Sequence, residues 1–171
     1  MGIGNHQSPK MKTDEWLTPP EIVNSLGPFD LDPCSPIIRP WNTAKTHFSL
    51  PTELFQPDGL SRDWSLYGRV WLNPPYGQQT GKWMKKLSEH NNGIALIFAR
   101  TETKIFFNHI WYKADSILFI KGRLEFYFVD GTKSTGRSGA PSCLIAYGKE
   151  NSYILRNSGI EGKFLYLNNN P

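Results

Sequence analysis

Arg69-Val70-Trp71-Leu72-Asn73-Pro74-Pro75-Tyr76-Gly77 is the stretch on which the reading of this chain turns. Residues with strand propensity run directly into an amide, two prolines, an aromatic ring and a glycine, so a strand ends abruptly in a stiff loop. Pro74 and Pro75 have restricted φ and no N–H, which leaves their carbonyls facing outward without a neighbouring amide competing for them. Asn73 adds an acceptor, and Tyr76 adds a flat face.

An amide oxygen, a prolyl carbonyl and an aromatic face suit a planar substrate that carries an exocyclic amino group. Two acceptors hold both N–H bonds, the ring stacks on Tyr76, and the nitrogen lone pair is turned toward an electrophile. Methylation of an amino nitrogen needs this geometry. In adenine or cytosine that lone pair is delocalised, so positioning and polarisation must supply much of the catalysis. The bland alternative is a proline-rich turn after an edge strand.

Outward from this loop, the chain reads as a sheet covered by helices. Gln78–His90 predicts a helix with Trp83, Met84 and Leu87 inward, its lysines either solvated or in contact with phosphate. Ile94–Phe98 is an unbroken apolar run, which predicts a strand buried on both faces. Lys104–Ala114 predicts a helix, and Ser116–Ile120, Arg123–Val129 and Ser142–Tyr147 predict strands. Tyr153–Arg156 and Lys163–Leu167 read as terminal strands. Arg100, at a strand-to-helix junction, can reach a phosphate or a carboxylate, or pair with Glu102.

Upstream, Thr18 and Glu21 have capping-box spacing, with Pro19 at the first helical position of a helix running to about Leu26. That helix start, beside Trp16, is either a well-capped end or a seat for the carboxylate of an amino-acid-like ligand. Phe29–Cys34 reads as a short strand that ends in Asp32 and Pro33, where an acid either grips a ligand or shapes a turn. Ser35–Gly68 lacks periodicity; within it Phe48, Leu54, Phe55, Leu60 and Trp64 are candidate anchors. Asp58 stands in an Asp-Gly-Leu turn, as an Asx turn or as a cofactor contact. Asp130–Pro141 is a Gly- and Ser-rich loop whose basic residues, Lys133 and Arg137, suit a nucleic-acid backbone or a solvated hairpin tip.

Composition bounds the answer. The 171 residues fit one domain spanning 1–171, with Met1–Lys12 as a frayed polar start and Asn168–Pro171 as a tail. No apolar run is long enough for a membrane span, and the N-terminus lacks a signal-peptide core. Cys34 and Cys143 are too few for a zinc site or a disulfide framework, and they fit a reducing cytoplasm. A net charge of +4 permits a polyanionic partner without requiring one.

Taken in order, Trp16–Pro19, Phe29–Cys34, Asp58-Gly59-Leu60 with Trp64, Asn73–Gly77 with Trp83, Arg100–Thr103 with Phe106, Gly122-Arg123-Leu124 with Phe126, and Ala140-Pro141-Ser142 form a discriminating series. In that series the chain resembles the small phage-type DNA N6-adenine methyltransferases of the Dam family, over roughly Glu15 to Gly148. The resemblance implies an α/β, Rossmann-like fold, a mostly parallel seven-stranded sheet with helices on both faces and an antiparallel last strand. It implies S-adenosyl-L-methionine as methyl donor and a flipped adenine in DNA as substrate, handled by a monomer or a homodimer, in the host cytoplasm for a phage-encoded protein. Asn73, Pro74, Pro75 and Tyr76 would form the catalytic loop. Trp16, Thr18, Pro19, Asp32, Pro33, Cys34 and Asp58 would hold the cofactor, and Phe126, Arg100, Lys133 and Arg137 would contact the substrate, with no metal. The sequence departs from many methyltransferases in having Asp32-Pro33-Cys34 where a Gly-rich turn is common. RNA or a protein glutamine as acceptor, or a non-catalytic nucleic-acid-binding role on this scaffold, are the competing expectations.

Overall fold

The computed structural model describes residues 16–49, 58–136 and 138–167. Among them, seven strands form one sheet: β1 (Leu31–Asp32), β2 (Thr46–His47), β3 (Val70–Leu72), β4 (Gly93–Phe98), β5 (Ser116–Ile120), β6 (Ser142–Tyr147) and β7 (Gly162–Tyr166). Four helices accompany it: α1 (Pro20–Leu26), α2 (Thr80–His90), α3 (Lys104–His109) and α4 (Lys149–Arg156). The strand order is β2-β1-β3-β4-β6-β5-β7.

Side-chain alternation decides how the sheet is covered. Val70 and Leu72 of β3, with Ala95 and Ile97 of β4, pack under Trp83, Met84 and Leu87 of α2 and Phe106 of α3. Trp71, Ile94 and Leu96 point the other way, toward Ile22, Val23 and Leu26 of α1 and Leu155 of α4. A strand flanked by helices on both sides has no solvated face, which is why β4 is apolar without a break. No helix among the described residues is long and apolar enough to cross a membrane.

The sheet is mixed, which corrects the expectation of a mostly parallel sheet with only its last strand reversed. β1 pairs in parallel with β2 and with β3, and β3 pairs in parallel with β4. β4 with β6, β5 with β6, and β5 with β7 are all antiparallel. Among the described residues between β5 and β6 there is no helix, and the chain returns beside β5 antiparallel to it instead of crossing over.

Other local expectations also change. Arg123–Val129 forms no strand: it spends its backbone groups on an isolated bridge from Tyr127 to Leu17 and on its own return limb, as in Ser134 N–H to Phe126 O at 2.9 Å. Tyr153–Arg156 lies in α4, where Asn151, Ser152 and Leu155 are buried at helical spacing while Tyr153 is exposed. The predicted helix over Lys104–Ala114 stops at His109 and continues as turns. Two-residue β2 lies within what reads as featureless loop, and the anchors Leu54 and Phe55 fall outside the described residues, as do residues 1–15 and 168–171.

Candidate active site

Because β1 and β3 are parallel neighbours in the register Leu31 to Val70, their carboxyl ends open side by side. That places Asp32-Pro33-Cys34 next to Asn73-Pro74-Pro75-Tyr76. The Cys34 thiol donates to the Asn73 carbonyl at 3.2 Å, and burial pushes that thiol far above its ordinary pKa, so it keeps its proton. Asn73 Nδ2 donates to the Trp16 carbonyl at 3.0 Å. Only the N–H side of an amide can face a carbonyl, which fixes the amide's orientation. Asn73 Oδ1 is left buried and without a hydrogen-bond partner.

The rest of the loop is pinned from α2. Thr80 donates its hydroxyl to Pro75 O at 2.8 Å and accepts from Gly77 N–H at 3.1 Å. One of the two proline carbonyls is therefore already used. Gly77 sits at φ +125°, where a side chain would be strained, so the turn that lifts Tyr76 requires glycine.

Tyr76 lies flat on Phe98, with ring centroids 4.1 Å apart and planes 8° from parallel. Its hydroxyl is buried without a partner, and burial drives the phenol well above its ordinary pKa, so it stays neutral. The Arg100 guanidinium lies over the same Phe98 ring at 5.8 Å. Phe98 went unremarked in the sequence as a site residue, although an aromatic ending the strand next to β3 is the available signal.

Across the cavity, Asp32 accepts the Thr43 hydroxyl at one oxygen and the Cys34 N–H, at 3.2 Å, at the other. Burial pushes its pKa up to about 6, against the hydrogen bonds from Thr43 and Cys34 and the charge of Arg39, which hold it down. Thr43 is itself placed by His47, whose Nε2 accepts the Thr43 and Ala44 N–H groups at 3.2 and 3.3 Å. Burial, helped by Arg39, lowers the His47 pKa to about 4, so the ring is a neutral acceptor at pH 7.

Trp16, Thr18, Asp32, Cys34, Asn73, Pro74, Pro75 and Tyr76 thus line one cavity. Thr18 makes no helix cap: α1 begins at Pro20 with Pro19 as its cap residue. The bridge between Leu17 and Tyr127 holds the preceding backbone extended, and the Thr18 hydroxyl is buried without a partner beside the cavity. Pro33 is buried behind Asp32, and Gly59 packs so tightly on it that a Cβ would fall 1.8 Å from Pro33 O. That contact docks Asp58 near the end of β1, where its carboxylate accepts the Ser61 N–H at 2.9 Å in an Asx turn.

Of the four residues expected to contact substrate, the three that are described do not line the cavity. Phe126 is buried in the core cluster of α1 and α4, Lys133 is paired with Glu125 at 2.7 Å, Arg100 is exposed, and Arg137 lies outside the described residues. Conversely, Arg39, Trp41 and Thr43 line the cavity from a stretch whose lack of periodicity hid them. No group of three or more metal-ligating side chains occurs among the described residues.

The sheet and cavity define an α/β protein that offers an unsatisfied amide acceptor at the carboxyl ends of two adjacent strands, a class suited to holding an amino group. No solved structure matches the chain. The family model for DNA N-6-adenine-methyltransferase (Dam) matches residues 5–154, and the chain belongs to that family. A DNA N-6-adenine-methyltransferase of Escherichia phage T1 is 28% identical over 123 residues, which cover 68% of this chain and 49% of the relative. The chain thus spans about half the length of the curated relative it matches.

Proposed function

We propose that the protein methylates N6 of adenine in DNA, with S-adenosylmethionine as the methyl donor. The buried, unpartnered Asn73 Oδ1 carries this reading, because its amide nitrogen is already committed and the oxygen, in a residue that lines the cavity, is left to accept from an incoming donor such as an amino N–H. Family membership and the phage T1 relative support DNA as substrate. Five strands that share one direction, with helices on both faces, support a Rossmann-like reading of the fold.

Asn73 Oδ1 and the Pro74 carbonyl would accept the two N6 hydrogens, drawing the lone pair out of the ring and toward the donor. The free face of Tyr76 would stack on the base, with Phe98 supporting its other face. Base stacking of this kind is worth on the order of 1–3 kcal/mol, comparable to the few kcal/mol needed to extrude a base from a duplex. No group has to remove a proton before attack, since the methylated amino group is strongly acidic and loses its proton afterwards.

The unpartnered Thr18 hydroxyl and Trp41 indole N–H, with buried Asp32 lining the same cavity, fit the polar end of the donor. When bound, S-adenosylmethionine supplies an electrophilic methyl group on a sulfonium. Trp16, Thr18, Asp32 and Pro33 would hold it, with Asp58 on the adjoining turn. Arg100, Lys133 and Arg137 are proposed as backbone contacts, Lys133 exchanging Glu125 for phosphate. The test is incubation with methyl-labelled donor and separate unmethylated DNA, RNA and protein, followed by nucleoside analysis. Label in N6-methyladenine from DNA is expected; label confined to RNA or protein, or none at all, overturns the proposal.

A further inference from the structure

The segment between β1 and β2 lines the cavity with Arg39, Trp41 and Thr43. It is built firmly: the Thr43 hydroxyl ties it to Asp32, and His47 accepts the N–H groups of Thr43 and Ala44. Two of its side chains carry donors that find no partner among the described residues. Arg39 uses Nη1 on the Pro36 and Ile37 carbonyls, at 3.0 and 3.4 Å, and leaves Nε buried without a partner. The Trp41 ring stands edge-on to Tyr127 at 5.3 Å, with its indole N–H buried and likewise unpartnered. Both residues line the cavity, and so does Asp32, whose buried carboxylate feels the charge of Arg39.

Unsatisfied buried donors are rare, and where they converge they mark the place of an acceptor that the folded chain does not provide. A cationic guanidinium with a neutral N–H calls for an anion. A buried carboxylate lining the same cavity calls for a cation. An α-amino acid end carries both charges two bonds apart. Resting on the methyl-donor reading above, we propose that Arg39 and Trp41 are specificity-determining residues that take the α-carboxylate of the donor's amino-acid end, while Asp32 takes its ammonium.

Calorimetric titration of the full chain with two ligands tests this. S-adenosylhomocysteine has the amino-acid end, and 5′-methylthioadenosine lacks it. Wild-type protein is expected to bind the first more tightly. Arg39→Gln should weaken S-adenosylhomocysteine about tenfold or more, the scale of a hydrogen bond between charged partners, and leave methylthioadenosine within about twofold, since it cannot reach the lost donor. Trp41→Phe keeps a ring against Tyr127 while removing the N–H along with part of the bicycle, so it should show the same selectivity with a smaller loss; it carries the test should Arg39→Gln fail to fold. Equal losses for both ligands would assign these residues a merely structural role and overturn the proposal. Unchanged S-adenosylhomocysteine binding in both variants would also overturn it while leaving the methyltransferase reading intact. Wild-type protein that binds neither ligand would remove the donor reading itself, and this proposal with it.

Discussion

Replacing Thr80 with valine tests whether the Asn73–Gly77 loop owes its shape to α2. The substitution keeps size and β-branching, so the nearly buried site stays filled and only the hydroxyl is lost. Two hydrogen bonds go with it, to Pro75 O at 2.8 Å and from Gly77 N–H at 3.1 Å. At about 1 kcal/mol each, somewhat more where the orphaned groups are kept from water, the loss is about 2 kcal/mol. For a domain of this size that corresponds to a fall in Tm of about 4–8 °C. Tyr76 sits between the two clamped residues, so loosening the clamp should also misplace the ring proposed to receive the base. Single-turnover methylation of an adenine-containing duplex at saturating donor should slow by about ten- to a hundredfold, with S-adenosylhomocysteine affinity little changed. Thr80→Ser, which keeps the hydroxyl, should recover most of both losses. A valine variant with wild-type Tm and rate, or a serine variant as impaired as valine, would refute the clamp.

Three further outcomes follow from the same geometry. Asn73→Ala removes the unpartnered acceptor and should lower the methylation rate by roughly 10²–10³, the scale of one preorganised polar group; a variant with near-full activity in the same assay would break the amino-group assignment. Tyr76→Phe removes a buried hydroxyl that has no partner, so activity should change little and stability should hold or rise slightly, whereas Tyr76→Ala loses the stack on Phe98 and weakens DNA binding in a titration. For Asp32, a folded pKa of about 6 against 3.8 unfolded means that ionisation is disfavoured in the fold, a cost fully present above pH 6 and relieved as pH falls toward 4. At 1.36 kcal/mol per unit, the stability of Asp32→Asn relative to wild type in urea unfolding should fall by about 2 kcal/mol from pH 7 to pH 4; a constant gap would contradict the buried-acid account.

Much of this was legible from local chemistry. The strand-to-loop break at Asn73 and the unbroken apolar run of β4 are written in residue type, and proline restriction with two-faced burial leaves few other outcomes. The acid closing β1 was legible too, because an Asp-Pro pair both ends a strand and leaves its carboxylate at the sheet's open end. What escaped depends on partners distant in sequence. Thr18 reads as a helix cap, yet Leu17 pairs with Tyr127 and draws the hydroxyl away. Arg39 and Trp41 sit in aperiodic chain, and only the return of β2 beside β1 brings them over the cavity. The Tyr-Ile-Leu run of α4 has strand propensity, but burial of Asn151 and Leu155 at helical spacing outweighs it. Strand direction beyond β4 is equally non-local, since it depends on whether a helix forms between β5 and β6.

The cavity's two halves meet at a single residue. Asn73 is held through its side chain by the segment that leads to Thr18, and through its main chain by the segment that follows Asp32. The first segment would seat the donor's polar end and the second closes β1, so whatever seats the donor also fixes the orientation of the amide that would receive the amino group. A freely rotating asparagine would present oxygen or nitrogen with similar ease, and the nitrogen face would repel an incoming N–H. Committing Nδ2 to the Trp16 carbonyl removes that alternative before any substrate arrives. Preorganisation of this kind acts on the barrier, because the acceptor need not turn as charge develops on the nitrogen. The cost of holding Oδ1 buried and unpaired falls on the fold, and it is recovered only when an N–H donor fills the site.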